Sequence, residues 1–530
     1  MSLGRNGRDA QFPNVCVHRD AVVGNELRAK SSTCCYLHAT ARSRHASITV
    51  DPHTIDAVIG PVGILVPDGS LRFDTLQDAV AHADGFTDGK VYLNVPAGDY
   101  TAEGIIATSN SAAKSSLHIC GPAGDYYGNG YVDNQEIAGS WTGSGSGVAT
   151  VTFAGTTITV TAAGTNPDFQ TAGVQIGDRV NPWLDGGVTV GPFFVTDVAP
   201  TVLTMNAAVP APVPGQAHGF AFVAPVAVAG YSLTERQGDV NIERQHVVST
   251  VASGSAITAE NCRVFVDNSV VQHTDSANPD HALHFSDSKV PYVEVNQSTV
   301  MASRGLSVSH SIRGRVVNTI FHVPASSVGS SGALHAAHGA RVMLNGRVVM
   351  VGIPNGAMIN SSDGAHLMAE SGDHLHAHVQ IPTAGGLAPV LSMRNVSLAS
   401  LGNVHVNRYD TYAAPGSYSM RLQGSSKLHV QNLQSILNNG VGGVNVGSHV
   451  YANTDSSMVV QSGRLNQGRY GMHGEGHAHL VGSASITDNT DTLAVMVGSN
   501  VADGGAFANP RTNVADGTAV LQGGVRYVVA

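Results

Sequence analysis

Charge is scarce in this chain: Asp, Glu, Lys and Arg make up 12% of its 530 residues, about half the usual share, and only five residues are lysine. Its apolar fraction is nevertheless an ordinary 42% and its net charge is −10, which excludes a disordered polyelectrolyte. Aromatic residues make up 5%, with only two tryptophans, Trp141 and Trp183, so a long sugar groove paved with stacking rings is not expected. No run of about 18 apolar residues occurs, so no membrane span is expected. The opening MSLGRNGRDAQF lacks the apolar stretch of a signal peptide. Five scattered cysteines, Cys16, Cys34, Cys35, Cys120 and Cys262, contain no CxxC. That argues against a disulfide framework or zinc site and for reduced thiols in a chain folded in a cytoplasm.

What the chain has instead is 61 glycines, together with many Ser, Thr, Asn and Val, the composition of strands and tight turns. Five short apolar-alternating segments end in asparagine: residues 264–268, 293–296, 316–318, 342–345 and 392–395. Their asparagines, Asn268, Asn296, Asn318, Asn345 and Asn395, are 28, 22, 27 and 50 residues apart, and 50 reads as two steps of 25. A strand closed each time by Asn, a residue that tolerates the left-handed region, is the pattern of a solenoid carrying a structural Asn ladder. The fold class expected is all-β.

Along the chain, residues 1–60 form an arm, basic over residues 1–48 with seven Arg or Lys against three acids. Residues 61–128 follow a new pattern. Leu76, Val80 and Ala83 fall on one helical face, with Asp74 as the expected N-cap. The helix TLQDAVAHA, the segment VYLNVPAGDYT and the strand ending ICGP together resemble the pectin-lyase-like right-handed parallel β-helix superfamily, most closely its phage tailspike and virion proteins. The resemblance spans residues 61–122 and 226–505. It implies a right-handed parallel β-helix (solenoid) with a short N-terminal capping helix.

Residues 129–225 break the period with short alternating strands and glycine turns, and are read as an inserted small β-barrel or sandwich module. From 226 to 505 coils open with pairs such as Ala282-Leu283, Gly305-Leu306, Ala333-Leu334 and Ala357-Met358, and a second strand follows near Val342, Leu367, Leu428 and Leu480. At about 25 residues per turn this gives some eleven turns and a rod of about 50 Å. Residues 506–530 are read as a C-terminal cap or intersubunit strand.

Chemistry is thinly marked. Asn453-Thr454-Asp455 and His473-Gly474 resemble two polygalacturonase motifs, but no Asp-Asp pair occurs. A carboxylate pair for glycoside cleavage needs no local spacing in a solenoid, because its members come from neighbouring coils. The candidates are Asp267, Asp287, Glu294, Asp363, Glu370, Asp373 and Glu475, with Glu370, Asp373 and Glu475 the catalytic choices. Of the 25 histidines, His374, His376 and His378 alternate along one strand face, and His477 and His479 along another. These pairs are candidates for a divalent metal; otherwise no cofactor is expected.

The resulting expectation is a structural and adhesive virion protein of a bacterial virus (tailspike, tail fibre or head decoration), assembled in the host cytoplasm. It would be homotrimeric, docked to other virion proteins through the basic arm, and would engage host-surface polysaccharide. The alternative is a polysaccharide depolymerase, lyase or glycoside hydrolase, on the same rod; a bacterial surface adhesin is a third option. Without a basic stripe interleaved with aromatics, nucleic-acid recognition is not expected.

Overall fold

The computed structural model describes residues 53–503 except 60–69, 111, 123–130, 133–149, 163–168, 170–175, 177–178, 185–192, 210–217, 224–225, 235, 251–253, 275–280, 286–291, 324–331, 353, 382–388, 411–417, 440–447, 467–469, 475–478, 488–490 and 496–499. The arm up to residue 52 and the segment after 503 lie outside the described residues. One α-helix, Leu76–Asp84, occurs among them; the remaining elements are strands and a single 3₁₀ turn.

Most strands belong to parallel sheets, an arrangement compatible with a parallel β-helix. The chain traces three sides in turn, as in Arg263–Asp267, then Val270–His273, then Leu283–Phe285, before Tyr292–Asn296 returns to the first side one layer on. Each strand pairs in register with its successor. On the first side Val264, Val293, Gly314, Val342, Leu367, Ala399, Leu428, Met458 and Leu480 form one column. On the third side, a 12-stranded sheet, Leu283, Leu306, Leu334, Ile359, Leu391, Met420, Val450 and Met472 form another. In these columns the side chains from Val264 to Met458 on the first side, Gly314 excepted, and from Leu283 to Val450 on the third are buried in one continuous apolar core from Ile55 to Leu465. The sequence pairs at 282–283, 305–306 and 333–334 open third-side strands as expected, whereas Ala357-Met358 runs one residue early, because Ile359 occupies the register.

The sheets begin earlier than the sequence pattern: His53–Ile59 pairs with Lys90–Asn94 and with Leu71–Phe73. The capping helix buries Leu76, Val80 and Ala83 as its periodicity requires. Its N-cap is Thr75, not Asp74, because the Thr75 hydroxyl accepts the Asp78 amide at 3.0 Å. The amides of Leu76 and Gln77 donate to the Glu103 carboxylate at 3.0 and 3.1 Å. In the Val-Pro-Ala-Gly-Asp-Tyr segment the Tyr100 hydroxyl donates to the Pro96 carbonyl at 2.9 Å, and a Cβ on Gly98 would lie 2.8 Å from that hydroxyl.

The seven strands between Tyr131 and Val223 form a separate antiparallel sheet. On either side of it the coil is continuous in space: Val226 pairs with Gly98, and Val240 with Leu117. This segment therefore leaves the stack at the corner between the first and second sides.

The corners correct the single Asn ladder. Asn268 (φ 48°) and Asn318 (φ 46°) adopt the left-handed conformation between the first and second sides, in the column of Arg244 (φ 54°), Gln297 (φ 45°) and Gly346 (φ 63°). Asn296 and Asn345 end the preceding strands one position earlier, in register with Asp267 and Val317. Asn395 (φ 52°) belongs to the other corner, between the third and first sides. There two successive residues turn left-handed in coil after coil: His310 and Ser311, His338 and Gly339, Asp363 and Gly364, Asn395 and Val396, Gly424 and Ser425, Thr454 and Asp455. The interval of 50 residues thus joins two different corners. Both sites accept Asn for the same conformational reason, so periodicity alone confuses them.

Val396 is the misfit at that corner. It is β-branched, sits at φ 63° and is 61% exposed, so it bears left-handed strain of roughly 1–2 kcal/mol without compensating burial. Val396→Asn is expected to raise stability by about 1 kcal/mol, read as a higher denaturant midpoint at unchanged slope.

Candidate functional site

The candidates drawn from sequence scatter. Glu370 is exposed. Asp373 is committed to backbone: its carboxylate accepts the Gly346 amide at 2.7 Å, the Glu370 amide at 2.7 Å and the Asn345 side chain at 3.1 Å. Those bonds hold the corner between the first and second sides. Glu475, His477 and Asp287 lie outside the described residues, and His479 starts a strand in register with Ser457 and Asn500. Asp363 sits in the left-handed corner, accepting the Asn395 amide group at 2.8 Å.

His374, His376 and His378 lie on the second side in register with Arg347, Val349 and Val351 of one neighbouring strand and Asn403, His405 and Asn407 of the other. His376 is buried and packs against His405 with ring centroids 5.2 Å apart. Burial and the Arg347 charge lower the His405 pKa to about 4. Among the described residues no group of three or more His, Cys, Asp or Glu is placed to hold a metal ion.

Two of the seven carboxylates weighed from sequence, Asp267 and Glu294, do come together on the outward surface of the first side. They are joined by Glu243, which the sequence reading missed. Glu243 and Asp267 occupy the same register on adjacent coils, followed by Asn296. Each ends an alternating strand, Asp239–Glu243 and Arg263–Asp267, whose Val240/Ile242 and Val264/Val266 pairs point into the core. The missed signal was an acid at the phase where other coils carry Asn.

Around them the outward column runs Tyr92, His118, Asn241, Phe265, Glu294 and Arg315. Tyr92 stacks on His118 at 4.4 Å, and Phe265 meets Tyr292 at 5.6 Å. The Tyr292 hydroxyl donates to Glu294 at 2.6 Å, and Arg315 lies 3.8 Å from the same carboxylate.

The two paired carboxyls are driven apart electrically. The His118 imidazole, 2.9 Å from Glu243, holds that carboxyl below its usual range, with help from Arg244 at 3.6 Å. Asp267 is pushed up to about 6, first by burial and then by the neighbouring Glu243 charge, although the Asn296 amide group donates to it at 2.7 Å. An ionised carboxylate beside one that holds its proton towards neutrality is the division of labour that acid-assisted bond cleavage needs. Adjacent strands lie about 4.8 Å apart, so the two acids, in the same register, leave the sheet side by side.

No protein-family model matches this chain, and no curated protein matches it. No helix among the described residues is long and apolar enough to cross a membrane.

The two aspartates should respond oppositely to substitution. Because the folded Asp267 pKa lies above its unfolded value, its contribution is present below about pH 4 and is lost as pH rises through 6. Asp267→Asn should therefore stabilise the fold at pH 8 by about 1–2 kcal/mol and be neutral at pH 4. Asp373→Ala, which removes three accepted hydrogen bonds, should cost about 2–3 kcal/mol. Denaturant titrations at the two pH values read both effects.

Proposed function

We propose that this chain is a structural and adhesive virion protein of a bacterial virus, whose rod engages host-surface polysaccharide on its first side. The observation that carries the reading is the outward column of Tyr92, His118, Phe265 and Glu294 with Tyr292 beside it. Flat rings there alternate with hydrogen-bonding groups at strand spacing, a surface on which sugar faces stack and hydroxyls bond. The capping helix and the Val-Pro-Ala-Gly-Asp-Tyr turn support a right-handed parallel β-helix of the pectin-lyase-like kind. The antiparallel segment between Tyr131 and Val223 is then a small module inserted in the second coil. Association that covers the faces of such a stack, as a homotrimer, is part of this reading, and the basic arm suits docking to other virion proteins.

A second reading is favoured by the Glu243–Asp267 pair: the rod also cleaves the glycan it holds. In this reaction a Glu243 oxygen attacks the anomeric carbon while Asp267 gives its proton to the departing glycosidic oxygen. Water, deprotonated by the Asp267 carboxylate, then displaces Glu243 and restores both groups. Activity would fall above about pH 6 as Asp267 ionises, and at low pH as Glu243 is protonated.

Labelled-antibody electron microscopy of virions, with binding of the purified chain to host cells, tests the first reading. Absence from the particle together with no cell binding refutes it. Release of reducing ends from host polysaccharide tests the second. Glu243→Gln and Asp267→Asn should each reduce the rate at least a hundredfold while Glu370→Gln leaves it unchanged, and equal loss in all three would discard the pair.

A further inference from the structure

Two large apolar side chains stay exposed within three positions of each other: Val396 at 61% and Leu398 at 39%, with Ser397 buried between them. Val396 stands at the corner between the third and first sides, the second of the two left-handed residues there. Its equivalents in the other coils are Ser311, Gly339, Gly364, Ser425 and Asp455. None of these is β-branched, so the corner itself does not require the strain that Val396 carries. Strain kept without burial is characteristic of positions that meet a ligand.

Cations surround this apolar pair. Leu398 belongs to the outward column at the start of the first-side strands, which in register reads Tyr292, Arg313, Arg341, His366, Leu398 and Lys427. Arg313, Arg341 and Lys427 are exposed, His366 is half-buried, and Arg394, two residues before Val396, is exposed as well. Arg313 lies in register with Arg341, a like-charge neighbour that costs stability in a sheet. Arg341 and Lys427 stand three strand spacings apart, roughly 14 Å, with Leu398 between them. The acids at this corner are Asp363 and Asp455, and Asp363 already accepts from Asn395 at 2.8 Å and lies 3.9 Å from His338. Cations therefore outnumber acids here, in a chain whose net charge is −10.

Shape and charge together name the partner. The corner is a convex edge of the stack, with Val396 at its tip. A protein partner covers such a tip only with a matching pocket, whereas the fluid head-group layer of a bilayer yields to it. The cations beside the tip then meet lipid phosphates, their aliphatic stems lying along the apolar boundary.

We propose that this corner docks the rod on an anionic phospholipid surface, with Val396 and Leu398 entering the head-group layer and Arg341, Arg394 and Lys427 bound to its phosphates. The contact uses neither Phe265 and Glu294 nor the Glu243–Asp267 pair, so it stands apart from both readings of the first side.

Co-sedimentation of the full chain with phosphatidylcholine vesicles, with and without about one-third phosphatidylglycerol, tests it. The anionic vesicles should bind at least about tenfold more tightly than the neutral ones, and the binding should weaken as salt rises. Arg341→Gln and Lys427→Gln should each weaken it about fivefold. Arg263→Gln, which removes a first-side cation already paired with Asp239, should leave it unchanged. Val396→Asn should bind at least about fivefold more weakly although its denaturant midpoint is higher, a combination that damage to the fold does not produce. Equal binding to neutral vesicles, no binding to either, or unchanged binding in the Val396 and Lys427 variants overturns the proposal. So does an oligomer in lipid-free solution that Val396→Asn dissociates while vesicle binding stays the same, because the corner then covers a second copy. So does binding of polyglutamate that is as tight as that of anionic vesicles and indifferent to Val396→Asn, which marks an acidic protein partner.

Discussion

In-register parallel stacking places every side chain about 4.8 Å from its equivalent in the next coil, and most other properties of the molecule are consequences of that repetition. Inward columns must be apolar and of compatible size, as Val266, Val295, Val316 and Leu344 are. Corners must turn sharply at the same height in every layer. This selects left-handed residues, and side chains such as Asn318 that can satisfy a neighbouring amide: its carbonyl oxygen accepts the Arg347 amide at 3.0 Å. A Cβ on Gly346 would come within 2.1 Å of that same oxygen, so this corner needs glycine for both its conformation and its close approach.

The same repetition explains the scarcity of charge. Like charges in one outward column face each other at strand spacing, which is destabilising. Runs of one sign are accordingly short. Glu243 and Asp267 are succeeded by Asn296, and His284 and His335 are separated by Ser307. Where two acids do stack, the conflict is resolved by an external partner for one, His118 on Glu243, and a pKa raised to about 6 for the other, Asp267. A split carboxyl pair therefore emerges from stacking itself, and its cost in stability is the kind that functional sites carry.

Hydrogen-bond partners separate two acids of similar burial on this scaffold. Asp373 and Asp267 are both acids near the corner between the first and second sides. Asp373 binds two amides and an Asn side chain belonging to the fold. Asp267 takes one such bond and shares its surroundings with another carboxyl and two aromatic rings. His376 and His405, packed ring on ring on the second side, are buried as well.

The chain's own sequence determined the all-β class, the helix that buries Leu76, Val80 and Ala83, and the inward positions Val342, Leu367 and Leu428, because these depend on local alternation and turn chemistry that repeat coil by coil. It could not separate the two corners, since Asn suits the left-handed conformation at either. The pairing of Glu243 with Asp267, and the joining of His284, His335, Asn360 and Arg421 into one row, were decided only by tertiary structure. Coils vary in length, from 21 residues between Val293 and Gly314 to 32 between Leu367 and Ala399, so sequence spacing does not reveal which side chains share a column. Hydrogen-bonded register does.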